Sequence, residues 1–306
     1  MIKRDNPYFG QVRLLVGVLP FLASESCFAL KGGTAINLFV RDMPRLSVDI
    51  DLAFLPLTDR VSALAEAGAA LTRVGTMLKS VSPPYSVQVA RREEGQPVRL
   101  LVSEGGATIK IEVSPVLRGT VYPETMLRIV PAAEALFGFA EVRSLSFEDL
   151  YAGKIVAALD RQHPRDLFDI KLLLENEGVS AKLFRAFLVY LISHSESMAR
   201  IIHPRQKPLV DLYEKQFRHM SVIETSLKEL EDARSTLVGT LHTHFDDSVK
   251  TFLASFKRGQ PRWELLGVEH APNLPAIRWK LHNLSLMDKA RHDAATAELD
   301  RVLNSI

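Results

Sequence analysis

Apolar side chains recur at helical spacing through residues 11 to 29 and stop at FALKGG, where paired glycines mark a tight turn after a short strand or a helix end. The apolar pattern resumes from Thr34 to Val40 as a second helical segment. The period then changes. In RLSVDIDLAF, Arg45, Ser47, Asp49 and Asp51 point one way while Leu46, Val48, Ile50 and Leu52 point the other, which is the alternation of a β-strand. A helix is predicted over roughly Thr58 to Lys79, and after SPP come three strands, YSVQVARR, PVRLLVS and ATIKIEVSP, with Gly95, Gly105 and Gly106 in the connections. Residues 121 to 150 are mixed, and EVRSLSFEDL reads as a last strand running into a helix.

From Ser146 onward only the helical period persists. FEDLYAGKIVAALD, RDLFDIKLLLENEG and AKLFRAFLVYLISHSE are helix-length segments with short breaks, and residues 211 to 258 add further amphipathic helix. Gly259, Gln260 and Pro261 separate these from a tail with RWELLG, LPAIRWKLHNLSLM and a last helix to Leu303. The predicted fold class is therefore α+β: a mixed α/β part over 1–150 and a mainly helical part over 151–306, without sequence repeats.

Composition narrows the class. The 306 residues are 47% hydrophobic and 24% charged, enough for one or two domains with real cores, which excludes a disordered, collagen-like or disulfide-stapled chain. Lys plus Arg total 38 against 36 Asp plus Glu, so the charge balance makes no case for nucleic-acid binding. Cys27 stands alone in CFAL, which removes intrachain disulfides and cysteine metal clusters and predicts a small buried apolar side chain. MIKRDNPYFG turns polar too soon for a secretory leader, and LLVGVLPFLASESCFAL is broken by Pro20, Ser24, Glu25 and Ser26, so a soluble cytoplasmic protein is expected.

Candidate chemistry falls into two groups. Asp49 and Asp51 share a strand face with Ser47 and Arg45, and paired carboxylates repel unless a proton or cation lies between them. A hard divalent cation that also takes substrate phosphate oxygens answers that charge, although acidic residues also decorate exposed strands without function. Gly32 and Gly33 precede the pair, and backbone without Cβ atoms, together with the Thr34 hydroxyl, can approach a polyphosphate; a GG pair also serves as a plain turn. Glu112, in IKIEVS, is a candidate third carboxylate or a solvated strand residue. The second group is helical: Lys154 lies two turns before Arg161, and Asp166 and Asp169 share one side of the next helix. Lys154 can stabilise a triphosphate and Asp166 can position or activate an attacking hydroxyl, while an exposed Arg165–Asp169 pair is the bland alternative. His242 and His244 lack a zinc-protease pattern, Ser195 lacks a nucleophile elbow, and Trp263 and Trp279 read as core or lid residues rather than RNA contacts.

LKGGTAINLF followed by PRLSVDIDLAF, with KIVAALDR and RDLFDI downstream, resembles the AbiEii/AbiGii toxin family, nucleotidyltransferases of the DNA polymerase β-like superfamily. The resemblance covers residues 10 to 180 most strongly; LPAIRWKLHNL is a less specific match. It implies a minimal nucleotidyltransferase core over 1–150 and a helical domain over 151–306 that contributes Lys154 and Asp166. Asp49 and Asp51 would hold magnesium or manganese, joined by Glu112. Gly32, Gly33, Thr34, Arg45 and Ser47 would cradle the nucleotide, with Arg161 and Asp169 in support. The implied reaction moves a nucleoside monophosphate from a nucleoside triphosphate to a hydroxyl, with the tRNA 3′ end as acceptor, in the toxin of a toxin–antitoxin or phage-defence system. The expected partner is a cognate antitoxin of winged-helix, DNA-binding type. Protein nucleotidylation and a noncatalytic nucleotide-binding module are the alternatives.

Overall fold

A computed structural model describes residues 5–91 and 97–306; Gly95 and positions 1–4 lie outside the described residues. The chain divides into two compact units, Met1–Ser146 with Arg218–Glu224, and Phe147–Phe217 with Thr225–Ile306.

The first unit is built on a mixed sheet of β1 (Phe28–Lys31), β2 (Asp49–Phe54), β3 (Ser86–Arg91), β4 (Pro97–Glu104), β5 (Ala107–Arg118), β6 (Thr125–Arg128) and β7 (Glu141–Ser144), in the order β3-β4-β5-β2-β1-β7-β6. β2 lies parallel to β5 and β1 parallel to β7, whereas β1–β2, β3–β4, β4–β5 and β6–β7 are antiparallel. Helices α1 (Phe9–Ala23) and α3 (Arg60–Ser80) touch each other and the sheet. The first is buried along Val12, Leu15, Val16, Leu19 and Leu22. The second begins where the Asp59 carboxylate accepts from the Val61 and Ser62 amides at 2.9 and 3.1 Å, which satisfies two donors that the helix start leaves open. Along β2, Ile50 and Leu52 are buried and Asp49 and Asp51 half-buried, so the alternation read from DIDL holds.

Three local expectations need correction. The first helix ends at Ala23, because Phe28–Lys31 is drawn into the sheet between β2 and β7. The segment after the glycines is α2 (Gly32–Ala35) continued by a π-helical turn, Ile36–Val40, rather than one regular helix. The strand predicted from Arg45 starts only at Asp49; before it, Met43 takes a left-handed φ of 53° and Arg45 forms an isolated antiparallel bridge with Ser221. The mixed stretch also hides β6 and α4 (Pro131–Phe137), both too short to show a period.

The second unit is helical. It comprises α5 (Phe147–Asp160), α6 (Pro164–Asn176), α7 (Ala181–Ser193), α8 (Met198–Ile202), α9 (Val210–Gln216), α10 (Leu227–His242), α11 (Asp247–Lys257), α12 (Pro275–Ser285) and α13 (Lys289–Asn304), with short 3₁₀ turns at Trp263–Leu265 and Ala271–Asn273. Helix α5 packs on α6 and α7, and α6 packs on α10. Trp263 is half-buried in an aromatic cluster with the buried Phe252 and Phe256, whereas Trp279 is 53% exposed beside His282, so only the first tryptophan packs on the core. His244 stacks on Phe184 and His242 bonds the Ile202 carbonyl, leaving both in structural roles. Among the described residues no helix is long and apolar enough to cross a membrane.

Candidate active site

In the first unit the glycine turn closes directly on the acidic strand. Gly32 adopts φ +74°, and a Cβ there would sit 2.9 Å from Asp51 Oδ2. A Cβ on Gly33 would sit 2.7 Å from Arg45 Nη2 and 3.2 Å from Ser47 Oγ. Gly32 is therefore favoured by its left-handed conformation as well as by contact, whereas at Gly33 a side chain would force Arg45 and Ser47 to move. The Thr34 hydroxyl lies 2.9 Å from Ser47 Oγ and donates to the Asp49 carbonyl oxygen at 2.5 Å, while Arg45 is buried and its Nη1 donates to the Leu46 carbonyl. Gly32, Gly33, Thr34, Arg45, Ser47, Asp49 and Asp51 thus come together, with Thr34 facing inward as a brace between the turn and β2.

Gly33→Ala is expected to displace Arg45 and Ser47 by overpacking, at a cost of about 1–3 kcal/mol. Chemical denaturation against the parent checks this, and an unchanged midpoint would mean that the turn can yield.

Across the sheet Lys31, Asp51, Glu112 and Arg99 fall in one register row, with Lys110 opposite Asp49. Glu112 is thereby brought beside Asp51, but its carboxylate is ion-paired to Lys110 at 3.1 Å and to Arg99 at 3.2 Å. Partial burial pushes the Glu112 carboxyl up, and the two cations outweigh it and hold it below the usual range. Burial lowers the Lys31 ammonium against the opposing pull of Asp51 and Glu112. Lys31, Arg99 and Lys110 are charges of this face that sequence reading did not single out. Lys110 follows from the alternation of IKIE, which puts it on the face of Glu112, whereas strand register is needed to place Lys31 and Arg99 there.

Among the described residues no group of three side chains has the placement of a metal cage. Asp49 and Asp51 fit a divalent cation of the magnesium type nonetheless, because that ion is commonly held by one or two carboxylates and fills its other positions with water and substrate phosphate oxygens.

The second unit holds the other candidates. Lys154, on α5, reaches Asp166 Oδ1 and Asp169 Oδ2 on α6, each at 2.9 Å. Arg161 grips Asp166 with a two-pronged contact, Nε to Oδ2 at 2.5 Å and Nη2 to Oδ1 at 2.9 Å. Asp166 and Asp169 are 1% and 0% exposed and Lys154 6%, whereas Arg161 is 63% exposed, so three members are interior and one reaches solvent. Asp169 is accordingly a buried partner of Lys154, which replaces the exposed Arg165–Asp169 pair as the reading of that helix face. Burial would raise the Asp166 carboxyl, but Lys154 and Arg161 overcome it and hold the group well below the ordinary carboxylate range. A carboxylate so held is a weak proton acceptor and a strong anchor.

The turn between α5 and α6 is fixed by Gln162, a buried residue with φ 54° whose side chain donates to the Arg205 carbonyl at 2.7 Å and accepts from the Lys207 amide and from Arg234. That wedge sets the spacing of Arg161 and Asp166. Cys27 is half-buried and pushed up to about 11, mainly by burial, which leaves its thiol protonated and unreactive at neutral pH.

Comparisons with known proteins bear on the family and the fold. A family model described as nucleotidyl transferase AbiEii toxin, type IV toxin–antitoxin system, matches residues 13–283. Among solved structures, MenT4, a nucleotidyltransferase toxin from Mycobacterium tuberculosis H37Rv, superposes with a TM-score of 0.63 at 15% identity, over 92% of this chain and 95% of that one; this likeness is one of fold. A comparison with curated protein sequences gives no match. With the family pattern spanning nearly the whole chain, and a mixed sheet followed by helices beneath it, the protein belongs to the AbiEii-type nucleotidyltransferase toxins, consistent with the DNA polymerase β-like superfamily.

Proposed function

We propose that the protein transfers a nucleoside monophosphate from a nucleoside triphosphate to the 3′ hydroxyl of tRNA, as the toxin of a toxin–antitoxin pair. The observation that carries this reading is the Asp49–Asp51 pair with the Gly32–Gly33 turn folded against it. The acceptor oxygen forms a bond to the α-phosphorus, the bond from that phosphorus to the oxygen bridging to the β-phosphorus breaks, pyrophosphate departs and the hydroxyl proton is lost to solvent.

Asp49 and Asp51 would hold magnesium or manganese, which supplies charge neutralisation for the phosphoryl oxygens. The chain's own groups do the remaining work. The Gly32–Gly33 backbone admits the triphosphate closely, while Arg45, Ser47 and Thr34 hold that backbone against β2. The family resemblance would assign phosphate charge to Lys154 and Arg161; within the helical unit Asp166 and Asp169 hold Lys154, Asp166 also holds Arg161, and Arg161 is the member of the cluster that reaches solvent. Glu112, paired to Lys110 and Arg99, is better suited to holding those cations than to joining the metal pair. An antitoxin of winged-helix, DNA-binding type would be the natural partner of such a toxin.

The test offers each of four α-phosphate-labelled nucleoside triphosphates, with magnesium, to total RNA and total protein. Label in tRNA from one of them is the expected result. Label that stays in protein after ribonuclease treatment would overturn the acceptor assignment, and folded protein that labels neither would overturn transfer.

A further inference from the structure

Residues 218–224 lie in sequence between α9 and α10 of the helical unit, yet they belong to the first unit. There they run antiparallel to the segment just before β2. The Leu46 amide donates to the Met220 carbonyl at 2.8 Å, the Val222 amide to the Pro44 carbonyl at 2.9 Å, and Arg45 bridges Ser221. Asn6 Nδ2 donates to the His219 carbonyl at 3.2 Å, which ties the same strap to the chain start. Met220, Leu46, Met43 and Arg45 are all buried around this ladder, while the side chains of Val222 and Ile223 remain 37% and 45% exposed.

The segment that the strap clamps is the one that shapes the glycine turn. Arg45 stands against Gly33, Ser47 against both Gly33 and Thr34, and Asp49 follows at the start of β2. Among the described residues Pro44–Leu46 forms no ladder within the seven-stranded sheet, and the strap bonds its Pro44 carbonyl and Leu46 amide. Buried backbone groups without partners cost free energy, so a loop that is bonded on this side holds one geometry where an unbonded loop would sample several.

We infer that the 218–224 strap is a positioning element for nucleotide binding: it holds Pro44–Leu46 in register, and through Arg45 and Ser47 it keeps the Gly32–Gly33 turn open to a triphosphate. This rests on the nucleotidyltransferase reading of the site. The strap acts through main-chain bonds, so it shows as a need for a backbone N–H at position 222 rather than for a particular side chain.

The Pro44 carbonyl accepts from the Val222 amide at 2.9 Å and from the Ile223 amide at 3.3 Å; Val222→Pro removes the shorter of these two bonds, and Val222→Ala keeps both. The expected result for Val222→Pro is a KM for the nucleoside triphosphate raised about tenfold with kcat within about threefold, the pattern of lost binding rather than lost chemistry; Val222→Ala should restore the parent value. An unchanged KM in Val222→Pro, or an equal rise in Val222→Ala, overturns the inference. A second measurement needs no variant: hydrogen exchange of peptides covering 44–49 and 218–224 in the parent, with and without nucleoside triphosphate and magnesium. Both segments should gain protection together, and protection confined to 44–49 overturns the strap. If the parent binds nucleotide and couples the two segments but transfers nothing, the transferase reading fails and the strap stands. If it binds no nucleotide at all, both fall.

Discussion

Asp49→Asn is expected to reduce nucleotide transfer by about a thousandfold or more while leaving the fold intact. The side chain is half-buried at the start of β2, and asparagine keeps its size, so packing against the sheet is preserved. What is lost is one of the two negative charges that hold a divalent cation, an effect worth several kcal/mol. At about 1.4 kcal/mol for each factor of ten, a loss near 4 kcal/mol gives that figure. Incorporation of labelled nucleotide, measured beside a thermal melt, separates the outcomes. Transfer retained within tenfold in a normally melting variant would remove Asp49 from the machinery.

The largest expected effect on stability comes from Asp166→Asn. Asp166 is interior, bound by the Lys154 ammonium and by the fork of Arg161, and its loss leaves Lys154 with Asp169 alone. Breaking a buried pair from one side costs roughly 3–5 kcal/mol. The pH dependence has a definite sign. The folded-state pKa of Asp166 is depressed, so its contribution is complete above the unfolded carboxylate value and is lost as pH falls from about 4 through the lower folded value. Denaturant unfolding between neutral and acid pH should therefore fall more steeply for the parent than for Asp166→Asn, and the two curves should converge in acid. Parallel curves would mean that the cluster does not contribute charge-dependent stability.

The periods of the sequence made much of this molecule legible. DIDLAF, the three strands that follow α3, and the long helices from Phe147 onward all have enough residues for a pattern to outweigh chance. β6 and α4 do not, and FALK, four residues long, left a short strand and a helix end equally open until the sheet placed it as β1. Among the candidate site residues, Gly32 and Gly33 were legible as a turn and Asp49 and Asp51 as one face of a strand; the packing of that turn on the strand was not, since it depends on contacts across fifteen intervening residues. Lys110, two residues from Glu112 on the same strand, was legible as its neighbour on that face, but the engagement of Glu112 by Arg99 was not, since cross-strand register depends on pairings that a linear pattern does not encode. The burial of Lys154, Asp166 and Asp169 was equally hidden: three charged residues at helical spacing look the same whether they face solvent or one another.

The bridge between Arg45 and Ser221 joins positions more than half the chain apart. A chain leaving the ribosome folds from its N-terminus, and the sheet can gather once β7 has emerged, yet Pro44–Leu46 must wait for Met220 and Val222. Nascent chains stopped before that point carry both aspartates and both glycines but lack the bonds that hold the loop between them. For a protein of a toxin family, the last bonds of this loop thus come late in synthesis, after α5 and α6 have been made, and fragments released early by stalled translation lack them.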